Sequence, residues 1–298
     1  MTAPDAQIRS DRLRTRTDLW VRRVLAAFAA VAGSAVVLTV LLLAYQGLPV
    51  LGTEAAATLG SPRWIPVSFK GEQFGLLPLL TGSVLVTALA GLLAVPVGVG
   101  GAVYLSEFAA GWERPVLRTF IEALAGLPSV VLGFFGLVVV GPAVKELLGL
   151  SSGLTALTGA LVLGFMAVPT LLAVSADALQ AVPSVQREAS LALGATRWQT
   201  AWRVVAPAAT RGLAAAVMLG LGRVVGETMV VLMVTGNAPQ VTANPLESVR
   251  TMTATIAAEM GEAAVGSEHY RALFLVGLVL LGITLAFNIA ARRLVTNR

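Results

Sequence analysis

The sequence predicts an all-α, polytopic membrane protein with six transmembrane helices. Three observations predict it. Of the 298 residues, 56% are hydrophobic and only 12% are charged, about half the charged share of a soluble domain. Several apolar runs reach the ~20 residues that a bilayer core demands. The cations gather in alternate loops rather than along one face. Too little charge is present to cover a water-facing surface, so lipid surrounds most of the chain.

Each element can be justified in turn. The first run, Val24–Tyr45, holds no charge and follows Arg9, Arg12, Arg14, Arg16, Arg22 and Arg23. That basic flank looks like a secretory signal, but the run exceeds the roughly 7–15 apolar residues of such a segment. It is read as a retained helix over 24–46 behind a basic arm, 1–23. A polar stretch over 47–75 carries Pro49, Pro62 and Pro66. A core of five spans then runs from 76 to 292. Its first run, Leu76–Leu105, is longer than one span and contains Pro96, Gly98, Gly100 and Gly101. A break or kink is expected near Pro96. The next run, Pro115–Val144, is interrupted by Gly126, Pro128, Gly133 and Gly136, which predicts a helix break and close packing. A fourth span covers Leu154–Leu179. A polar, amphipathic segment follows over 183–207, then a fifth span over Ala208–Val234. A long polar loop, 236–270, precedes the last span, Arg271–Ala290, and a short tail, 293–298.

Charge orients these spans. With the N-terminus inside, the arm, the segment Glu107–Arg118, the segment Pro183–Arg211 and the tail together with the adjoining Arg292 hold fifteen of the 21 Lys and Arg. The opposite loops hold five, and Arg223 lies within a span. This asymmetry satisfies the positive-inside rule and puts both termini on the cytoplasmic side; the heavy Ala, Gly and Arg usage suits a bacterial plasma (inner) membrane. The net charge of +5 therefore reflects topology and makes no case for nucleic acid. The chain has no cysteine and a single histidine, His269. Disulfides, thiolate metal sites and a histidine-cluster metal site are excluded, and His269 is read as a surface residue near a membrane boundary. No Ser–His pair, paired acids or metal ligands stand together, which argues against an intramembrane enzyme.

Charge inside the membrane marks candidate chemistry. Arg223 and Glu227 are four residues apart within Gly222-Arg223-Val224-Val225-Gly226-Glu227-Thr228. In a continuous helix that spacing puts both on one face. Counting about 1.5 Å per residue from Pro207 sets Arg223 near mid-membrane. A charge there costs on the order of 3 kcal/mol and is tolerated only beside a polar path or a partner. Two readings stand: Arg223 meets an oxyanion in transit while Glu227 orients or releases it, or the two form a structural pair that locks packing. Glu122 is a further acid in an apolar run, shallow on the cytoplasmic side, with a gating and a boundary role both open. Asp177 is read as interfacial.

The segment after the fourth span is the most specific signal. It reads Glu188-Ala189-Ser190, three residues, Gly194, nine residues, Val204, one residue, Ala206, Pro207. Residues 186–193 suit a short helix off the membrane, and Gly194 lets the chain turn without a Cβ penalty. Trp198 and Trp202 suit the interface, and Pro207 can open the next span. This pattern resembles the coupling motif of ABC importer permeases, E-A-A, three residues, G, nine residues, I, one residue, L-P. Ser190, Val204 and Ala206 depart conservatively from it. The resemblance implies the type I importer permease fold, with the short helix docking on a separate ATPase subunit. The two lysines, Lys70 and Lys145, do not follow glycine, so no phosphate-cradling G-x-x-x-x-G-K loop is present. The chain binds no cofactor on this reading, and ATP and Mg belong to the partner ATPase.

Further segments are similar to the phosphate-specific importer permeases. They are Gly226-Glu227-Thr228-Met229 with Gly236-Asn237, Ile121-Glu122 through Ser129, Trp64, Phe74 through Pro78, and Thr253 through Glu262. The first of these and the long loop before the second span look like the PstC-type branch. The resemblance implies a second, PstA-type permease, two ATPase subunits and an extracytoplasmic phosphate-binding protein as partners. It implies uptake of inorganic phosphate. Molybdate, tungstate or sulfate is the alternative cargo, because one or two arginines do not distinguish tetrahedral oxyanions. An ion-coupled secondary carrier, a further alternative, would show internal repeats and would leave the coupling segment unexplained.

Overall fold

In a computed structural model, the chain is mostly helical, and the backbone is described over residues 3–53, 57, 59–68 and 71–296. Side chains are described over 20–53, 57, 59–68, 71–290, 292 and 293. Lys70, Arg298 and the side chains of Arg9, Arg12, Arg14 and Arg16 lie outside the described residues.

Helix α1 runs over Ala3–Gly47. Its apolar stretch touches little protein until the end, where Gly47 meets α13, Glu268–Thr296. A Cβ at Gly47 would stand 2.8 Å from the Leu275 nitrogen, so the two backbones touch. A 3-10 turn over Leu48–Gly52 leads to a small antiparallel hairpin, β1 (Trp64–Ile65) and β2 (Gln73–Phe74), with Trp64 opposite Phe74. Both aromatics are buried with Val50, Leu79, Leu273 and Val276 in a core that fastens the hairpin to the bundle.

The remaining helices are α2 (Leu77–Val103), α3 (Glu113–Ala125), α4 (Ser129–Phe135), α5 (Gly141–Leu148) and α6 (Ala156–Gln180). After them come α7 (Ser184–Ala192), α8 (Arg197–Thr200), α9 (Ala206–Ala208), α10 (Thr210–Val225), α11 (Met229–Val234) and α12 (Met252–Glu259). Single π turns cover Tyr104–Phe108, Gly136–Val140 and Ala201–Val205.

Helix α6 is the axis of the bundle, with α2 and α10 packed against it. Leu171 of α6 is fully buried. A Cβ on Gly98 of α2 would stand 2.7 Å from its Cβ, and one on Gly220 of α10 would stand 2.6 Å from its Cγ. A large side chain thus sits between two glycines. Lipid offers apolar side chains no less favourable a home than a neighbouring helix, so membrane helices gain most where small residues admit close contact.

Five helical stretches are long and apolar enough to cross a membrane: Trp20–Gly52, Leu77–Phe108, Ser129–Leu148, Ala156–Gln180 and Glu268–Ala290. A sixth is bent: Arg197–Ala208 and Thr210–Val225 meet at 74°. Three expectations change in detail. Helix α2 passes through Pro96 without breaking, since one lost backbone bond is outweighed by packing along α6. The third span begins at Ser129, because the extended Pro128 (φ −61°, ψ 134°) separates it from α3. The fifth does not start at Pro207 or run to Val234: α10 begins after the bend at Ala209 and stops at Val225. In addition, α13 continues helical to Thr296 where a tail from 293 was expected.

Candidate translocation and coupling sites

Two interrupted segments place the first site. Helix α10 ends at Val225, and α11 begins at Met229. Residues 226–228 therefore form a break. The half-helix α11 packs on α4, which itself follows the break at Gly126–Pro128. A Cβ on Gly133 of α4 would come within 3.3 Å of the Val230 Cα, so a larger residue would press the two half-helices apart. Beyond α11 the backbone turns through two left-handed residues, Gly236 (φ 82°) and Asn237 (φ 53°). Asparagine tolerates that region better than most, and its Nδ2 donates to the Leu232 carbonyl at 2.6 Å, closing α11.

The break separates Arg223 from Glu227. Arg223 occupies the last turn of α10, is exposed, and donates from Nη1 to the Thr170 hydroxyl of α6 at 2.9 Å. Glu227 lies in the break, where its carboxylate accepts from the backbone N–H of Met229 at 3.1 Å. Its own carbonyl accepts from the Thr253 hydroxyl at 2.8 Å. The two side chains do not form an ion pair, because the helix that would have aligned them ends between them. Among the described residues Arg223 has no carboxylate within 4.0 Å. Thr170, its hydrogen-bond partner, was missed in the sequence: a threonine in an apolar run carries no signal of its own.

Leu221 and Val225 line an apolar cavity of about 290 Å³ with Gly91, Met252, Ile283 and Phe287. Arg223, two residues from each, points about 200° away around the helix. The cavity thus lies on the opposite face from the guanidinium, and desolvation bars an anion from such a lining.

Glu122 sits on α3, outside the third span. It accepts from Arg118 Nε at 3.1 Å, and Arg118 also approaches Asp177 of α6 at 3.7 Å. This exposed triad ties α3 to α6 and makes no hydrogen bond to Arg223 or Glu227.

The candidate coupling segment is built around α7. Gly194 has φ 85°, the left-handed turn that glycine takes freely. Thr196 then opens α8 with a reciprocal capping box to Gln199. Trp198 and Trp202 lie 5.6 Å apart between ring centroids, both exposed. Glu188 and Ala189 are exposed, while Ser190 bonds Thr200 across the turn at 2.9 Å. Pro207 stands in the first turn of α9, just before the bend.

His269 is not a surface residue. It is mostly buried, with Nε2 at 2.8 Å from Glu259 Oε2. The same carboxylate accepts from Trp64 Nε1 at 2.9 Å and pairs with Arg250 Nη1 at 2.7 Å. One buried acid thus joins the hairpin, the loop before α12, and α13. Charge in a polar loop reads as solvated from sequence; only the fold shows that four distant residues converge.

Residues 94–297 match the model of the family described as binding-protein-dependent transport system inner membrane component. The chain belongs to that family. Among its relatives, a probable ABC transporter permease protein YqgH of Bacillus subtilis is 37% identical over 100% of this chain and 97% of the relative. A phosphate transport system permease protein PstC of Mesorhizobium japonicum is 34% identical over 94% of this chain and 93% of that protein. The solved inward-facing MetNI methionine ABC transporter shares the fold, with TM-score 0.57 and 20% identity over 73% of this chain and 94% of that chain. The permease is therefore a multi-pass membrane subunit of an ABC importer, a transport component and not itself an enzyme. Such a permease works with an ATPase and a substrate-binding protein.

Proposed function

We propose that the permease imports inorganic phosphate and that Arg223 contacts the anion in transit. The observation that carries this is an exposed guanidinium at a helix break, hydrogen bonded to Thr170 and without a carboxylate partner among the described residues. A guanidinium suits bidentate phosphate recognition. Glu227 holds the break in shape by accepting from Met229 N–H, and Glu122 steadies the approach from α3 through Arg118. The likeness to PstC supports phosphate as cargo.

In this reading the exposed α7, with Glu188, Ala189, Ser190 and Gly194 ahead of Pro207, docks on the ATPase. ATP and Mg are used in that partner. A PstA-type permease completes the path, two ATPase subunits bind on the cytoplasmic side with both termini, and an extracytoplasmic protein delivers phosphate. Another oxyanion is the second reading, since one guanidinium recognises any tetrahedral oxyanion.

The test is uptake of phosphate, molybdate and sulfate in cells lacking the chain, with and without its restoration. Loss and rescue of phosphate uptake alone is expected. A defect in another anion with phosphate uptake intact would overturn the cargo. In the restored strain, Arg223→Ala is expected to abolish uptake while the complex still assembles, and Arg223→Lys to retain a fraction of it.

A further inference from the structure

Helix α7 has no buried residue and meets the rest of the chain chiefly through two of its positions, Arg187 and Ser190. These are three apart and share a face. Val185, Gln186, Glu188, Ala189 and Leu191 are exposed. The contact at Ser190 is one hydroxyl pair within the same segment. The contact at Arg187 is of another order.

The Arg187 guanidinium is 22% exposed and meets Glu107, 10% exposed, at 2.9 Å from Nη2 to Oε1. Its Nε also donates to Oε2 at 3.1 Å, so the pair is a two-pronged fork. Nη2 donates further to the Leu179 carbonyl at 2.8 Å and Nη1 to the Val182 carbonyl at 2.5 Å. One side chain of α7 thereby holds the last turn of α6 and the far end of α2. Glu107 lies in the π turn Tyr104–Phe108 that closes α2, and Ser106 Oγ donates to it at 3.0 Å. Arg114 Nη2 donates to the Ser106 carbonyl at 3.1 Å, bracing the turn from α3. Inserted π turns recur at functional positions in helices.

From that turn α2 leads to the break. Gly91 of α2 packs on Leu221, two residues before Arg223: a Cβ there would stand 2.7 Å from Leu221 Cδ2. Further along, Ser83 Oγ accepts from the Met252 N–H at 3.0 Å. A mostly buried fork thus joins α7 to the end of α2, and α2 packs on the segment bearing Arg223.

We propose that the Arg187–Glu107 pair is a positioning link that makes α7 and α2 move as one body, so that the ATPase cycle reaches the translocation path. The proposal rests on the reading of α7 as the ATPase docking helix. Arg187 and Glu107 touch no cargo. Their role is to carry force between helices.

The test uses the whole complex in liposomes, with binding protein loaded in parallel with phosphate, molybdate or sulfate. ATP hydrolysis is measured with and without the loaded binding protein, beside ATPase co-purification and melting temperature. Glu107→Gln keeps the shape and loses the charge; Arg187→Lys keeps the charge and loses the fork. Both variants are expected to fold and to retain the ATPase subunits, Glu107→Gln with a lower melting temperature because Arg187 loses its charged partner. Stimulation of hydrolysis by the binding protein is expected to fall roughly tenfold, a typical size for coupling between sites, with Glu107→Asp restoring part of it. Unchanged stimulation in both variants would overturn the link. So would a melting temperature that falls while stimulation persists, which marks a structural pair, or loss of the ATPase subunits from the variants alone, which marks a docking element. Wild-type permease that does not co-purify with an ATPase would instead refute the docking reading of α7 and the link with it. Stimulation by molybdate or sulfate but not phosphate would correct the cargo and leave the link standing.

Discussion

At Gly194 the backbone is left-handed, with φ 85° and nothing within 4 Å of an added Cβ. Substitution there meets no steric neighbour and acts through conformation alone, at about 1–2 kcal/mol for a β-carbon in that region. Gly194→Val is therefore expected to leave the bundle folded while tilting α7. Reduced co-purification of the ATPase, at unchanged melting temperature, would check this. Glu259 behaves in the opposite way. Removing it by Glu259→Ala leaves Arg250 buried without its partner, a loss of about 3–5 kcal/mol for a broken buried pair. A large drop in melting temperature is expected, and His269→Ala should cost less because the Arg250 pair survives. The sequence made Arg223 conspicuous, since a cation stands out in an apolar run. It gave no hint of Thr170, which lies 53 residues away, and it made Glu259 and His269 look like solvated loop residues. Charge is legible by contrast with its neighbours along the chain; convergence across the fold is not.

Helices were legible by length and apolarity, and their interruptions only where two breakers coincide. Gly126 with Pro128 announced the break before α4, because Pro128 cannot continue the preceding turn and biases Leu127 away from helix. Gly226 alone did not announce the break before α11, so the spacing of Arg223 and Glu227 was read on a helix that ends between them. Pro96 was over-read: inside a packed membrane helix, neighbours hold the line where a proline removes one bond. The contact of α4 with α11 joins the two breaks. Gly133→Val inserts a branched side chain against Val230 and Met233, and overpacking of this kind costs about 1–3 kcal/mol. Lower melting temperature together with loss of uptake is expected. A variant with normal stability and normal uptake would show that the half-helices need not touch during transport.

Over the whole molecule, composition and the uneven placement of arginine made a multi-pass membrane protein legible. The family followed from one motif and its position between two spans. What stayed hidden was the order of assembly around α6, because apolar membrane faces carry no periodicity that says which of them meets protein and which meets lipid. Helix α1 illustrates the difference. Its hydrophobic stretch is not buried inside the chain, yet Gly47 at its end is fully enclosed against α13. Two kinds of evolutionary freedom follow within one helix. From Leu25 to Leu42 the side chains are exposed along the helix and are judged by hydropathy, so shuffling their order should preserve expression; from Leu43, which lies against Gly277 of α13, protein contact begins. At Gly47 the tolerance falls to a single atom. The helix is written in a loose script that ends in a strict signature, and a library of α1 variants scored for surviving permease should show that boundary as a sharp step.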